Sequence, residues 1–532
     1  MVRICLQVMS LQSETSHGIP QLTVHSLLHP LCDLPDESPQ MEMLLSAVLG
    51  EAVTKSINFL FRKCSKLQEQ DVEDRLRRIL LRAQVIINEA MGRHITNQAM
   101  LLQLDMLRSA MHQGYYMLDT FRCQYHDEMD TKDQVLSQYF SLSKANSLKG
   151  LCYSNRNTQI LEQLQKTLDN LSSMILDMEE VVMFLASYRR LHCQPYSMHL
   201  LLGNCMFGRH MEAELAVKFL LHTQSQSPEE IEVLPIIGPG KVGKSTLVAH
   251  VCKEERVHNH FSEILWLHGH DLTDELAFRE GCTMKLQNCV TNLNNDKSIL
   301  VAVELVGDLT ENAWNRLCSA SKQCLPRGSK IIVTSQSETV VRFGTTQALT
   351  LRYLPQEALW YFFKTLAFGS TDPEMHPRLV QLAMEIARML NGSLNGANIF
   401  SSLMRDNFDI HFWCKLLAFL RGLIQNNLSK FGDTPFDLLN QNRPVEFERM
   451  ATPSVEFLVS WQYQCSSQEE TQTPTIRLQD VIFGSFQNHG KFDILLWRSQ
   501  IPPYYSYFNT CEIRKLKTTG TKRKRSMKTE LQ

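Results

Sequence analysis

The sequence predicts a multidomain protein of α and α/β architecture: an N-terminal helical bundle or coiled coil, then a parallel α/β domain, then a helical appendage. Two observations predict this fold class. Residues 41–190 contain very little Gly or Pro and repeat apolar residues at helical spacing. From Glu230 onward, short apolar segments alternate with helical segments, which is typical of a parallel sheet covered by helices.

The composition limits the function classes. The chain has 532 residues, enough for about three to four domains, and its 43% apolar and 21% charged residues are ordinary for a folded protein. A net charge of −2 provides no global field for nucleic acid or anionic membranes, so we expect no specific nucleic-acid partner. No apolar run approaches the roughly 18 to 20 residues of a membrane span. The fifteen cysteines lack metal-ligand spacing and are typical of a reducing compartment, which indicates a cytoplasmic protein.

Changes in composition along the chain predict six segments. They are a disordered leader (1–40), an N-terminal helical bundle (41–195), the parallel α/β domain (196–350), a helical subdomain (351–430), a C-terminal region of no recognisable type (431–513) and a basic tail (514–532).

The clearest helix of the bundle is the fourth. Its apolar residues from Leu161 to Leu185 keep an alternating spacing of three and four over more than three heptads. Such a stripe needs a partner surface. Two interpretations are open: an intramolecular four-helix bundle, or an intermolecular coiled coil.

The later segments contain short strands and helices. In the α/β domain we predict strands at Glu230–Ile237, Ile264–Leu267, Ile299–Val303 and Lys330–Thr334, and helices at Ser245–Cys252, Leu276–Lys285 and Ala313–Ser321. Beyond it we predict helices at Leu379–Leu390 and Phe412–Leu423, and strands at Val455–Val459, Asp480–Phe483 and Phe492–Trp497.

A glycine-rich motif separates the first strand of the α/β domain from its first helix. Its residues fit the pattern G-x-x-x-x-G-K-[ST] at every fixed position; they are Gly238, Pro239, Gly240, Lys241, Val242, Gly243, Lys244 and Ser245. Glycines let the backbone N–H groups curl around a phosphate, and the following helix directs its positive end at the same point. Lys244 would then reach the β- and γ-phosphates, Ser245 would ligate Mg²⁺ and Thr246 would contact the α-phosphate. The alternative is a structural turn, but the flanking strand and helix favour a P-loop NTPase domain that binds ADP or ATP with Mg²⁺.

A metal site of this kind usually includes an acidic residue at the end of a neighbouring strand, and a second acid polarises the attacking water. Glu304 follows the strand Ile299–Val303, and we predict that it completes the metal site with Ser245. Leu305 stands where the second carboxylate is expected. A shift of one residue would instead place Val303 and Glu304 at the two positions, which keeps the base and loses the metal ligand. Because the pair is incomplete in either register, the chain is at most a slow ATPase.

Taken in order, these motifs resemble the NB-ARC domain of plant coiled-coil nucleotide-binding leucine-rich-repeat disease resistance proteins, over about residues 41–427. Besides the phosphate loop, the segments that carry the resemblance are Phe207-Gly208-Arg209, Phe261 to Leu267, Gly328 to Ser335, Tyr353-Leu354-Pro355 with the helix after it, and Tyr116 to Phe121 in the bundle. The resemblance implies an intracellular defence protein in which Arg209 contacts the nucleotide base. It also implies that the N-terminal bundle binds protein partners, other immune receptors among them.

The chain departs from that family at several positions. Gln336 stands in place of the sensor arginine, and Asn395 in place of the proline of the family's Gly-Leu-Pro-Leu-Ala element. No Met-His-Asp motif or leucine-rich repeat follows, so we expect a truncated member. Two hypotheses remain open: a nucleotide-dependent switch with weak hydrolysis, or a decoy or interaction module that acts through its bundle on full-length receptors without nucleotide. A turning-over ATPase ranks below both.

Other features of the sequence support narrower expectations. The aromatic run Trp360–Phe363 is expected to pack the helical subdomain onto the nucleotide domain. His268 and the histidines near it are expected in exposed loops and not in a metal site. For the cluster Lys522–Arg525 two interpretations are open: a nuclear import signal, or part of a plain disordered tail.

Overall fold

The structure is a computed structural model. It describes residues 70–93, 95, 97–129, 149–188, 206–222, 231–269, 298–305, 307–441, 443–448, 456–466, 476–483, 490–501 and 504–515. The chain divides into two compact units, residues 1–71 and 72–532, and the description below concerns the second. The predicted leader, the bundle residues 41–69, the helix Leu276–Lys285 and residues 516–532 of the basic tail lie outside the described residues, whereas Arg514 and Lys515 of the tail end a strand.

The described part of the N-terminal region is mostly helical. Its helices are α1 (70–91), α2 (Gln98–Met129), α3 (Lys149–Asp177) and α4 (Glu179–Leu185). Their apolar stripes meet in one core, in which Leu80 of α1, Met111 of α2 and Leu168 of α3 are almost fully buried. Because these seams are buried within one chain, the packing supports the intramolecular interpretation.

The spacing of apolar residues from Leu161 to Leu185 predicts one continuous helix, but the structure has two, α3 and α4. The backbone tightens at Met178, whose N–H donates to the carbonyl of Ile175, three residues back. Met178 and Val181 are nevertheless buried, so the apolar stripe continues across the break. Side-chain periodicity reports which face is buried, and a single turn of tighter helix leaves that face unchanged.

The α/β domain contains a five-stranded parallel sheet. Its elements are α5 (His210–Leu221), β1 (Glu232–Ile237), α6 (Lys244–Cys252), α7 (Glu255–His260), β2 (Glu263–His268), β3 (Ile299–Glu304), α8 (Glu311–Cys324), β4 (Lys330–Ser335) and β5 (Leu349–Thr350). The strand order is β2-β3-β4-β1-β5, and every pair is parallel. Strands β1, β3 and β4 are almost wholly buried, which explains their continuous apolar runs. The predicted fold class is confirmed.

A buried ion pair fixes the amino ends of the two central strands. Lys330 of β4 lies opposite Glu232 of β1, with Nζ 2.8 Å from a carboxylate oxygen. The same ammonium donates to the backbone carbonyls of Phe219 and His222, at the end of α5. The pair therefore joins α5 to the sheet.

The helical subdomain follows the sheet. Its helices are α9 (Gln356–Phe368), α10 (Pro377–Met389), α11 (Leu394–Asp406) and α12 (Ile410–Phe431). The aromatic run in α9 packs on Phe207 of the nucleotide domain, as expected, with ring centroids 6.3 Å away for Tyr361 and 4.9 Å for Phe362, and it also packs on the N-terminal bundle. Trp360 and Phe363 are fully buried in the core shared with the N-terminal bundle, and the indole of Trp360 donates to Asp119 of α2 at 2.8 Å.

The C-terminal region forms a second, antiparallel sheet. Its elements are α13 (Pro435–Asn440), β6 (Val445–Phe447), β7 (Glu456–Ser466), α14 (Leu478–Ile482), β8 (Lys491–Arg498) and β9 (Ser506–Lys515), with sheet order β6-β7-β9-β8. The strand predicted at Asp480–Phe483 is wrong, because this segment lies in α14. The carboxylate of Asp480 accepts the backbone N–H of Arg477 at 2.9 Å, which starts a helix.

None of the described helices is both long and apolar enough to cross a bilayer.

Candidate nucleotide site

The glycine-rich motif forms a tight loop between β1 and α6. Gly238 has a φ of 153°, and a Cβ placed on it would lie 2.3 Å from the carbonyl oxygen of Leu351, so only glycine fits. Gly243 has a φ of 98° and precedes the first turn of α6. Val242 is buried in the core beneath the loop, whereas Pro239 is exposed. The loop is therefore fixed to the core through Val242, while Pro239 lies at the surface.

Lys244 lies across this loop. Its Nζ donates to the carbonyl oxygens of Gly238 and Pro239, at 2.8 Å each. Burial lowers the pKa of Lys244 to about 8, and the negative charge of Glu304 opposes that shift. The cation is thus held at the loop that would cradle a phosphate.

The structure brings the two predicted metal residues together. The hydroxyl of Ser245, in the first turn of α6, donates to a carboxylate oxygen of Glu304, at the end of β3. A hydroxyl and a carboxylate are oxygen ligands of the kind that Mg²⁺ prefers. Thr246 follows in the same turn and is half-buried.

Leu305 offers no chemistry to the site. It is buried in the core on one face of the sheet, and its N–H donates to the carbonyl of Thr334 at 2.9 Å. Val303, the alternative first position of the acidic pair, is buried in the same core. The contact between Glu304 and Ser245 thus favours the register in which Glu304 is the metal residue and Leu305 replaces the base.

His268 lies beside Glu304. It was expected in a loop, but it is the last residue of β2, and the parallel pairing with β3 sets it opposite Glu304. Its Nδ1 is 3.8 Å from the second carboxylate oxygen, and about half of its side chain is exposed. Spacing along the chain gave no signal of this contact, because it depends on which strand neighbours β3. Among the described residues, no group of three or more His, Cys, Asp or Glu side chains could hold a metal ion by itself.

Gln336 follows β4 and lies against the phosphate loop. A Cβ placed on Gly240 would be 3.3 Å from its amide nitrogen. An uncharged amide therefore occupies the side of the loop where the resemblance leads one to expect the sensor arginine. It can form hydrogen bonds there but cannot neutralise a phosphate.

Two further contacts hold the loop and escaped the sequence analysis. The hydroxyl of Tyr353 donates to the carbonyl of Gly240 at 3.1 Å. Lys241 has a φ of 58°, unusual for a residue with a side chain, and its Nζ donates to the carbonyl of Leu439 in α13 at 2.7 Å. The sequence offered no indication of these two contacts beyond a lysine within a glycine-rich turn.

Arg209, which the resemblance implies contacts the nucleotide base, lies directly before α5. Its side chain is buried, pairs with Glu212 at 3.1 Å and donates to the backbone carbonyl of Arg352. Its Nε is also buried, and no group among the described residues accepts a hydrogen bond from it. A buried donor without an acceptor is uncommon and is expected to serve a ligand.

These residues fit a nucleotide with Mg²⁺. The loop and Lys244 would hold the phosphates, Ser245 and Glu304 would hold the cation, and Arg209 Nε is available to the base or ribose. Bound Mg²⁺ would supply positive charge to the phosphate oxygens.

The comparisons with known proteins support a nucleotide-binding domain in this part of the chain. The family model described as the NB-ARC domain matches residues 214–373, which run from α5 to the start of the helical subdomain. These residues are similar to an NB-ARC domain. The chain is similar to disease resistance protein RGA2 of Solanum bulbocastanum, with 29% identity over 202 residues that cover 35% of this chain and 20% of that protein. It is also similar to a putative disease resistance RPP13-like protein 1 of Arabidopsis thaliana, with 22% identity covering 75% of this chain and 38% of that protein.

The chain is thus similar to plant disease resistance proteins, as the resemblance implied, and it spans about a fifth of the length of RGA2. Among solved structures, domain III of the Thermotoga maritima replication initiation protein DnaA is 14% identical with a TM-score of 0.28, covering 42% of this chain and 97% of that chain. A TM-score this low carries no conclusion. The NB-ARC match itself implies nucleotide binding.

Proposed function

We propose that this protein is a nucleotide-binding signalling protein of the plant defence response. ADP or ATP, held by residues 238–246, sets the relation between the nucleotide domain and the N-terminal bundle. The observation that supports this most directly is the contact between Ser245 and Glu304 at the mouth of an intact phosphate loop. As an allosteric ligand, the nucleotide shifts the equilibrium only by its differential affinity for the two arrangements.

A short segment links the site to the bundle. Tyr353 contacts the phosphate loop at Gly240, and the chain then enters α9, whose Trp360 donates to Asp119 of the bundle. Lys364, one turn further along α9, forms an ion pair with the same carboxylate. A displacement of the loop by phosphate would reach the bundle through this segment.

Hydrolysis is expected to be slow or absent. Leu305 cannot polarise water, and Gln336 cannot stabilise charge on a γ-phosphate as an arginine would. The residues that remain, Lys244, Ser245 and Glu304, bind and orient phosphate and cation. Such a set favours a long-lived bound state over turnover.

The proposal is tested by the nucleotide content of the purified protein. After denaturation, we expect close to one ADP or ATP per chain, and we expect Lys244→Ala to lose it. Lys322→Ala, an exposed lysine of α8, is the matched control and should retain the wild-type content. A protein that carries no nucleotide and takes up none with added Mg²⁺ would contradict the proposal, and ATP turnover well above buffer background would contradict the slow hydrolysis.

A second candidate function is an interaction module or decoy that binds full-length immune receptors through the bundle without nucleotide. Exposed apolar side chains on α1 and α2 support it: Leu81, Val85, Leu102 and Met106 are each at least 51% exposed. Co-precipitation with a full-length receptor that persists in Lys244→Ala, and is lost when these four residues are replaced by serine, would favour this candidate.

We also propose a cytoplasmic location with nuclear entry through Lys522–Arg525. A fluorescent fusion of the full chain would show the distribution between the two compartments. If alanine at these four positions leaves that distribution unchanged, the cluster is not an import signal.

A further inference from the structure

A large cleft lies between the helical subdomain and the C-terminal sheet. It encloses about 1270 Å³, including the part open to solvent. Helices α11, α12 and α13 form one wall, and the strands β6, β7, β8 and β9 contribute the other. The lining is largely apolar and includes the aromatic rings of Phe400, Phe419, Phe436, Phe447, Trp497 and Tyr507. A concave site lined mainly by apolar and aromatic side chains is typical of small-molecule pockets.

The charged groups at the cleft are already engaged. Lys241, at its phosphate-loop end, donates from Nζ to the carbonyl of Leu439 at 2.7 Å. Asp437, in the first turn of α13, accepts a hydrogen bond from the hydroxyl of Thr434 at 2.6 Å. The cleft therefore offers no strong field to an ion, and its occupant is expected to be uncharged.

One polar side chain in the sheet wall has an unused hydrogen-bonding atom. Asn509 of β9 is only 5% exposed and lines the cleft. Its Nδ2 donates to the hydroxyl of Ser460 in β7 at 2.8 Å. Its Oδ1 is buried, and within the part of the chain that the structure describes no donor reaches it. Because a buried acceptor without a partner costs free energy, a ligand that donates to Asn509 would recover that cost on binding.

We propose that this cleft binds an uncharged, largely aromatic small molecule that donates one hydrogen bond to Asn509. The rings of the two walls would stack against its aromatic part, as aromatic pairs do at separations of roughly 4.5 to 7 Å. The proposal goes beyond the proposed function and does not depend on it, because the cleft shares only Lys241 with the residues of the phosphate loop.

The test uses N-phenyl-1-naphthylamine, an uncharged probe with two aromatic groups and one N–H donor, whose fluorescence rises in apolar surroundings. Titrated against the full chain, it should bind saturably with one probe per chain. Asn509→Leu, which keeps the volume but removes the acceptor, should weaken binding by about tenfold. Absence of saturable binding, or equal affinity in Asn509→Leu, would overturn the proposal.

A pair of neighbouring residues in β8 provides the matched control. Leu496 lines the cleft and is half-buried, whereas Leu495 is equally half-buried and does not line it. Leu496→Trp should fill the cleft and abolish probe binding, and Leu495→Trp should leave it intact. Unchanged binding in Leu496→Trp, or equal loss in both variants, would count against the proposal. Lys244→Ala should bind the probe normally, so this test is separate from that of the nucleotide site.

Discussion

The carboxylate of Asp119 joins the N-terminal bundle to the helical subdomain through Trp360. One oxygen, Oδ2, accepts both the indole N–H of Trp360 at 2.8 Å and the ammonium of Lys364. Asp119 is 5% exposed and Trp360 is fully buried, so neither partner can turn to solvent if the other is removed. A single carboxylate thus satisfies two groups of α9.

Replacing Asp119 by alanine should destabilise this interface strongly. The change leaves a buried indole N–H and a largely buried ammonium without a partner, and we expect a loss of about 3 to 5 kcal/mol. Asp105→Ala is the control on the same helix. Its ion pair with Arg108 is partly exposed, so its loss should cost at most about 1 kcal/mol. The urea midpoint of each variant measures the difference, and equal midpoints would refute the role of Asp119.

The stability of the bundle should depend on pH through His112. Its ring packs against both Phe207 and Tyr361, with centroids 5.5 and 4.8 Å away. Burial, together with the charge of Arg108, lowers the pKa of His112 from 6.5 to about 3. Between these values the unfolded chain binds a proton that the native chain does not. The free energy of unfolding is therefore unaffected by His112 above pH 6.5. Below that it falls by about 1.4 kcal/mol per pH unit, down to about pH 3.

The prediction is checked by comparing unfolding at pH 5 and pH 7. His112→Phe keeps a ring of similar size and removes the titration, so its stability should fall about 2 kcal/mol less than that of the wild type over this range. His411→Gln replaces an exposed histidine and should follow the wild type. If His112→Phe also follows the wild type, the histidine is not the source of the dependence.

The proposed metal role of Ser245 and Glu304 can be separated from phosphate binding by measuring nucleotide affinity with and without Mg²⁺. In Glu304→Gln, nucleotide affinity with Mg²⁺ should drop by about tenfold or more, because one carboxylate ligand is lost. Affinity in the presence of a chelator should change little. Glu263→Gln is the control, because Glu263 begins β2, at the end of that strand away from His268 and the site. Calorimetric titration with and without Mg²⁺ gives both values, and an equal loss under the two conditions would contradict a metal role.

The buried pair of Lys330 and Glu232 predicts strong coupling between two substitutions. Lys330→Met leaves Glu232 charged and buried, and removes the donor to the end of α5, which should cost about 3 to 5 kcal/mol. The double variant with Glu232→Gln should recover part of that loss. Unfolding in urea measures each member of the cycle, and simple additivity would mean that the two residues do not interact.

Much of the nucleotide domain could be predicted from local sequence. Buried parallel strands produce continuous apolar runs, so β1, β3 and β4 were located to within two residues. The phosphate loop and Glu304 followed from motif spacing, since their geometry is set by the strands and helix that carry them. Contacts between strands, such as that of His268 with Glu304, depend on sheet order, which no local pattern encodes.

The errors share a physical origin. The strand predicted at Asp480–Phe483 had suitable apolar residues. A helix begins there instead, because the Asp480 carboxylate accepts the backbone N–H of Arg477. The aromatic run of α9 was correctly expected to be buried. Its contact with Phe207 of the nucleotide domain was expected, but its contact with Asp119 was not, because Asp119 lies far away in the sequence and the fold brings it to Trp360.

The two tethers of the phosphate loop also bear on the thermodynamics of binding. Tyr353 holds Gly240, and Lys241 is held by α13, so the loop is ordered from both sides. Ordering a residue's backbone costs about 1 to 2 kcal/mol in conformational entropy. In this loop the cost arises when the chain folds and not when the ligand binds. Binding to such a loop carries a small entropic penalty. Cutting either tether, with Tyr353→Phe or Lys241→Ala, would transfer part of the ordering cost from folding to binding.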